Sequence, residues 1–259
     1  RASIEDQVVE PERLGVQEIF ESSEEGTKIQ AVDEVEIVSN EVAPPSDDEM
    51  KFAKLLESAE AGNVDAQHEV GECYYFGKLQ KNDFTKAAEW YLKAAENGHA
   101  NAQTNIAAML VAGQGVEKNI EEAVKWVKRS VEQGFAKGEA CMGSLYEKGL
   151  GVPLDYELAL SYYEISASKG YLKSQLTLGE MYLKGRGVAK DLSKAAGWYG
   201  KAAVAGDLDA QNAFGTMLLR GMGVTRNEAE GLKWMKSAAE AGHPTAILNL
   251  KKLQENQLN

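Results

Sequence analysis

Apolar and polar positions recur along residues 47–256 with a period of 36 residues and no insertions. Large aromatics hold one column, at Trp90, Trp126, Trp198 and Trp234, with Tyr162 in the remaining slot. Small residues follow one turn later, as Ser58/Ala59, Ala94/Ala95, Ser130/Val131, Ser166/Ala167, Ala202/Ala203 and Ala238/Ala239. Glycine fills a third column without exception, at Gly62, Gly98, Gly134, Gly170, Gly206 and Gly242. Glycine is 25 of 259 residues, so five further matches by accident have odds of roughly 1 in 10⁵. A fourth column, Asp47, Asp83, Asn119, Asp155, Asp191 and Asn227, is all Asp or Asn. Such side chains accept the free N–H groups of a helix's first turn. A glycine just past a helix end can take the left-handed conformation that closes it. One helix per repeat is therefore predicted between the Asx and the Gly columns. In the first copy, Ser46 and Glu49 have capping-box spacing, and Asp47 begins a helix over about 47–61.

A second helix opens just after each glycine. Ala66-Gln67, Ala102-Gln103 and Ala210-Gln211 lie near its start. Val70-Gly71, Ile106-Ala107, Met142-Gly143, Leu178-Gly179 and Phe214-Gly215 mark its middle. It ends in Gly-x-Gly-Val at 113–116, 149–152, 185–188 and 221–224, whereas the first copy has Gly77-Lys78-Leu79-Gln80 there. Neither helix can bury its apolar face within 36 residues, and stacking the units supplies the core. The pattern predicts an all-α solenoid of five full helix pairs, at about 63–98, 99–134, 135–170, 171–206 and 207–242. Helices at about 47–61 and 244–256 cap the two ends, with Lys54 and Lys251 where other copies are aromatic or small.

Charge divides the chain in two. Residues 1–49 hold 15 Asp and Glu against 3 Lys and Arg, and the rest hold 25 of each sign, so the net charge of −12 lies in the tail. Residues 1–45 form an acidic extension outside the repeat, and residues 46–259 the repeat domain. Acidity favours disorder, but Leu14, Val16, Ile19 and Phe20 fit one short helical face, and Val32, Val35, Ile37, Val38 and Val42 an extended apolar segment. The extension is expected to order when docked, and Leu14, Val16, Ile19, Phe20, Val35, Ile37 and Val38 are its candidate contacts. Ser22–Ser23 before Glu24–Glu25 has the form of an acidic-directed kinase site, a common pattern. No basic stripe exists to bind nucleic acid, and no run of 18 apolar residues exists to span a membrane. Residue 1 is Arg rather than Met, which suits a processed product or a fragment. The compartment stays open, an organelle or periplasm after removal of a targeting segment being compatible.

Catalytic and metal chemistry find little support. Cys73 and Cys141 fall in different repeats and columns, as two small buried hydrophobes would. His68, His99 and His243 show no metal-ligand spacing with them. The Gly-x-Gly loops follow a helix rather than a strand and recur at the repeat period, so they end helices rather than cradle a nucleotide. Ser166-Ala-Ser-Lys169 fits the Ser-x-x-Lys of penicillin-recognising enzymes, but Ser166 sits in the small-residue column and no Ser-Asp-Asn or Lys-Thr-Gly partner exists. His68 and Glu72 share one helical face and make a hydrogen-bonding pair rather than a metal site, since a third ligand is lacking. No enzyme, cofactor or metal is expected.

The columns AxAQxxLGxxYxxGxGVxxDxxKAxxWYxKAAxxG resemble the Sel-like repeat, a relative of the tetratricopeptide repeat, over residues 47–256. The resemblance implies a right-handed α-solenoid and a scaffold or adaptor role in a larger protein complex. Similarity to tetratricopeptide repeats places the second helices, at about 64–77, 100–113, 136–149, 172–185 and 208–221, on the concave face. The groove positions are then Asp65, His68, Glu72 and Tyr75 in the first repeat and Asn101 and Thr104 in the second. Lys137, Ser144 and Glu147 follow in the third, Lys173 and Glu180 in the fourth, and Asp209, Asn212 and Thr216 in the fifth. They vary in type while the frame repeats, which is where specificity can reside. A non-catalytic scaffold, as subunit or assembly factor, is the leading expectation. A sensor whose groove is occupied by its own tail is the alternative, and a small-molecule or cell-wall hydrolase a remote one.

Overall fold

The computed structural model describes residues 46–258. Among them lie twelve helices and no strand. α1 (Asp47–Glu60) and α12 (Pro244–Leu258) flank five antiparallel pairs. These are α2 (Val64–Phe76) with α3 (Phe84–Glu96), α4 (Ala100–Ala112) with α5 (Ile120–Glu132), and α6 (Ala136–Lys148) with α7 (Tyr156–Ser168). α8 (Leu172–Lys184) pairs with α9 (Leu192–Val204), and α10 (Leu208–Arg220) with α11 (Glu228–Glu240). Each helix packs chiefly on the one before and the one after, which is the stacking of an α-solenoid.

Helix starts follow the Asx column. Asp83, Asn119, Asp155, Asp191 and Asn227 each accept a backbone N–H from the first turn, at 2.9–3.1 Å. In the first copy the column would make Asp47 the cap, whereas the capping-box spacing with Glu49 points to Ser46. Ser46 holds that role: Glu49 N–H donates to its Oγ at 3.3 Å, and its own N–H donates to Glu49 Oε2 at 2.7 Å. This reciprocal box moves the start of α1 one residue upstream of the column, leaving Asp47 inside the first turn.

Helix ends follow the Gly column. At the end of α1, Gly62 N–H donates to Ala59 O and Asn63 N–H to Ser58 O, both at 3.1 Å, with Gly62 at φ +93°. This crossed pair of bonds needs a left-handed residue at its centre, and it recurs at the other five column glycines. Asn63 also caps α2, so one short turn closes a helix and starts the next. The second glycine of each Gly-x-Gly has a different reason. Gly115 lies on the backbone of α3, where a Cβ would overlap the Phe84 carbonyl. In the first copy Leu79 takes this place at φ +60°, and its side chain packs in the cluster of Phe52, Val70 and Trp90. Left-handed backbone at a non-glycine costs about 1–2 kcal/mol, and burial of the leucine offsets it.

Core positions compensate in size. Cβ atoms added at Gly71, Gly143 and Gly179 would lie 2.6–3.0 Å from the rings of Tyr91, Tyr163 and Tyr199. The second pair carries Ala107 and Val127 in those two columns, a methyl more on one side and a ring less on the other, and both are buried.

A polar seam joins successive units. Gln67, Gln103, Gln175 and Gln211 each donate through Nε2 to the carbonyl eight residues back, at 3.1–3.3 Å. Their Oε1 atoms need a donor thirty residues ahead. Asn97 supplies one to Gln67 at 3.1 Å, and Gln133 one to Gln103 at 2.9 Å. Residues 205 and 241 are alanines, and Gln175 Oε1 and Gln211 Oε1 are buried without a partner. In the third pair Glu139 replaces the glutamine, and the Lys169 ammonium binds it.

Candidate protein-binding groove

α4 reaches α6 directly, and side chains of α2, α4, α6 and α8 at successive repeats stand side by side along one face. Two of the cavities along it gather most of its charged side chains. One, of about 410 Å³, is lined from α4, α6 and α8 by Thr104, Asn105, Lys137, Cys141, Ser144, Glu147, Lys148 and Lys173, with Arg186 from the loop after α8. The other, of about 510 Å³, is lined by Glu72, Tyr75, Phe76, Tyr91, Asn105 and Lys137. Asn105, Ala108 and Lys137 line both.

Lys137 is the centre of the polar network. Its Nζ donates to Asn101 Oδ1 at 2.7 Å and to Asn105 Oδ1 at 2.6 Å. An ammonium only donates, so the amide oxygen of Asn105 faces the lysine and its Nδ2 faces His68 Nε2, 3.1 Å away. His68 Nε2 must then accept, which fixes a neutral ring. Burial, followed by the nearby His99 and Lys137, pushes the His68 pKa down to about 4. His99 stacks on His68 at 4.4 Å between centroids and uses Nδ1 to cap α4. Burial also lowers the Lys137 pKa and raises that of the Cys141 thiol one turn away.

The expected groove residues separate into groups. Glu72, Tyr75, Thr104, Lys137, Ser144, Glu147 and Lys173 come together around the two cavities. Glu147 accepts from Tyr163 Oη at 2.8 Å and pairs with Arg186 Nε at 3.1 Å. Asn101 lies under Lys137. His68 and Thr104 are only 8% and 1% exposed, because their column turns into the contact between neighbouring helices. Asp65 reaches His99 at 3.5 Å, and Glu180 pairs with Lys184 at 2.6 Å. Asp209 meets His243 Nε2 at 2.8 Å, and Asn249 Nδ2 donates to Asn212 Oδ1 at 3.0 Å. Thr216 lines a separate cavity with Arg226 and Asn249 towards α12. The candidate contacts in the acidic extension, Leu14, Val16, Ile19, Phe20, Val35, Ile37 and Val38, lie outside the described residues.

A fifth inward column was missed: Glu69, Asn105, Cys141, Thr177 and Ala213. It varies as freely as the chosen ones, and that variation was the available signal. Arg186 stands in the free position of the Gly-x-Gly loops, a column of Lys78, Gln114, Leu150, Arg186 and Met222 that varies in the same way. Ser166 is fully buried, donates to Ala136 O at 2.6 Å and accepts from Ser174 Oγ at 2.8 Å. Lys169 is bound to Glu139 and to Gly134 O. The Ser-x-x-Lys stretch is thus part of the packing. No group of three metal-binding side chains occurs among the described residues, and no helix there is long and apolar enough to cross a membrane.

The fold and groove define an α-solenoid of helix-hairpin repeats with a varied inner face. The sequence model of the Sel1 repeat matches residues 64–99, 100–135, 140–171, 172–207 and 208–243, and the chain belongs to the Sel1 repeat family. Proteins of this family are in general protein-interaction scaffolds, typically without catalytic activity. Among solved structures, a Sel1 repeat protein from Oxalobacter formigenes is 34% identical over 78% of this chain, with a TM-score of 0.72. The protective antigen c5321 of uropathogenic Escherichia coli, which displays an SLR fold, is 30% identical over 80%, with a TM-score of 0.57. This chain spans 58% and 52% of the lengths of those two. The immunity protein Pa5087 of Pseudomonas aeruginosa, 20% identical over 76% of each chain with a TM-score of 0.56, shares the fold. No curated protein matches the chain.

Proposed function

We propose that this protein is a non-catalytic scaffold that holds a partner polypeptide in the groove of α2, α4, α6 and α8, as a subunit or assembly factor of a larger complex. The observation that carries the reading is the contrast between columns. Caps, glycines and packing residues repeat from unit to unit, while most columns around the two joined cavities change in charge and size between units, as Glu72, Ala108 and Ser144 do, with Lys137 and Lys173 a repeated pair. Repetition serves the stack, and variation serves recognition of a ligand that is itself irregular, such as a peptide segment. The acidic extension supplies a second contact in this reading, carrying most of the chain's net charge.

The test has two steps. Native separation of a gentle extract, with mass spectrometry of comigrating proteins, should place the chain in a complex of fixed stoichiometry. A photo-crosslinker at Ser144 or Thr177 should then capture a subunit of that complex, and one at Glu157 or Ser161 on the outer face of α7 should not. Capture from α7 alone, or migration as a 28.2 kDa monomer, overturns the proposal.

A further inference from the structure

The middle of the groove holds more positive charge than its surroundings neutralise. Lys137, Lys148, Lys173 and Arg186 line the same cavity of about 410 Å³. Glu147 is the carboxylate in that lining, and it is already engaged by Tyr163 and Arg186. Arg186 is engaged in turn, with Nε 3.1 Å from Glu147 Oε1 and Nη2 3.8 Å from Glu180 Oε2. Among the described residues no carboxylate oxygen lies within 4.0 Å of the ammonium groups of Lys137, Lys148 or Lys173. This excess is local, because residues 50–259 carry equal numbers of acidic and basic side chains.

Lys137 is the most telling of the three. It is half-buried, yet its two hydrogen-bond acceptors are neutral amides, Asn101 and Asn105. Amides satisfy two of an ammonium's three donors but not its charge. Glu72 lines the adjoining cavity and favours the lysine's charge, but from beyond ion-pair distance. A partly desolvated charge without a contacting counter-ion is costly, and an opposite charge brought to it is worth more than the same contact in open water. The shape of the gap also matters. Its one guanidinium fork is occupied, so what remains is a set of lysine point charges, which pair with single anionic groups such as side-chain carboxylates without bidentate geometry.

We propose that the groove between α4, α6 and α8 recognises an acidic stretch of the partner polypeptide, whose carboxylates pair with Lys137 and Lys173. The inference rests on the reading of this groove as the partner-binding face. Of the serine and threonine hydroxyls in the lining, Thr104, Ser174 and Thr177 already donate to Asn101 O, Ser166 Oγ and Lys173 O, which leaves Ser144 as the one that can accompany those carboxylates as a donor.

The test uses the full chain and two fluorescein-labelled dodecapeptides, one alternating Glu with Leu and one with Gln in place of every Glu. Fluorescence anisotropy at low ionic strength should show the Glu peptide binding at least about tenfold more tightly, the effect of one good charge-assisted pair. Raising the salt should erase that difference. Lys173→Gln, at an exposed position, should weaken the Glu peptide about tenfold and leave the Gln peptide unchanged, and Lys137→Met should do the same. The Glu peptide should also slow maleimide labelling of Cys141, located by mass spectrometry. Equal binding of the two peptides, unchanged affinity in Lys173→Gln, or no protection of Cys141 overturns the proposal. A phosphoserine peptide that binds more tightly than the Glu peptide overturns the carboxylate assignment. Crosslinks from Ser144 combined with equal peptide binding would sink this inference while leaving the groove reading standing, whereas crosslinks from the outer face of α7 alone would sink both.

Discussion

The second and third helix pairs occupy equivalent places in the stack and reach the same geometry with different chemistry. In the second pair, Gln103 is buried between units, donating to Ala95 O and accepting from Gln133. In the third, Glu139 and Lys169 stand in those two columns as an ion pair, with Glu139 only 5% exposed. The outer face differs too. Arg129 lies 4.5 Å over the Trp126 ring in the second pair, as Lys93 and Lys201 lie over Trp90 and Trp198 in the first and fourth. The third pair has Tyr162 and Ile165 there, and Leu158 and Ile165 are exposed. Phe135 leaves α6 without a side-chain cap, whereas the His99 ring caps α4. The family's sequence model begins at 140 in this repeat rather than at the equivalent of 136, so sequence likeness weakens where the structure does not. The third pair shows that a residue can leave the pattern when its partner thirty residues away leaves with it. The fourth and fifth show the looser case, in which Gln175 and Gln211 stay while alanines at 205 and 241 leave their oxygens unpaired.

The largest way to break this equivalence is Lys169→Ala. Losing the partner of a buried carboxylate should cost about 3 kcal/mol, against about 1 kcal/mol for Gln133→Ala, which removes a neutral bond in the pair before it. Denaturant unfolding of the two variants checks the difference. The double change Glu139→Gln with Lys169→Gln rebuilds the neighbour's arrangement. It should bring stability back to within about 1 kcal/mol of the starting protein. If the double variant is as damaged as Lys169→Ala, the two pairs are not interchangeable.

Acid offers a second separation of the front units from the rest. Burial, followed by the nearby His99 and Lys137, pushes the His68 pKa from 6.5 down to about 4. The unfolded chain binds a proton in that window and the folded chain does not, so stability is present above pH 6.5 and is lost as pH falls towards about 4. The slope is about 1.4 kcal/mol per pH unit. Chemical melts across this range should show the slope, and His68→Gln should flatten it.

Core size complementarity is a gentler probe. Gly179→Ala drives a methyl to 3.0 Å from the Tyr199 ring and should destabilise by about 1–3 kcal/mol. Gly179→Ala with Tyr199→Val copies the Ala107–Val127 pair and should recover most of that loss in a thermal melt. The smallest effect expected is a gain. Ala205→Gln places an amide donor where Gln133 stands in the second unit, within reach of the orphaned Gln175 Oε1. It should stabilise by about 1 kcal/mol, or about 2–4 °C in a protein of this size. No rise in melting temperature would mean that the orphan oxygen is satisfied in another way.

The 36-residue columns by themselves determined the number, order and limits of the helices and the joints between them. Each signal recurs five or six times, and caps and left-handed turns depend on backbone geometry within a few residues. At Ser46 two sequence signals compete, the column favouring Asp47 as the cap and the capping-box spacing favouring Ser46, and the local motif wins. The tertiary structure alone decided which varied columns open into the groove. Residues 68, 69 and 72 lie on one side of α2 by helical spacing. How much of that side stays open depends on how close α4 comes, and that closeness buries His68 and leaves Glu72 lining a cavity. The seam between units was hidden for the same reason. Gln103 with Gln133 and Glu139 with Lys169 are joined across thirty residues, a distance at which chain-local physics has no bearing and only the stacking of one hairpin on the next brings donor to acceptor.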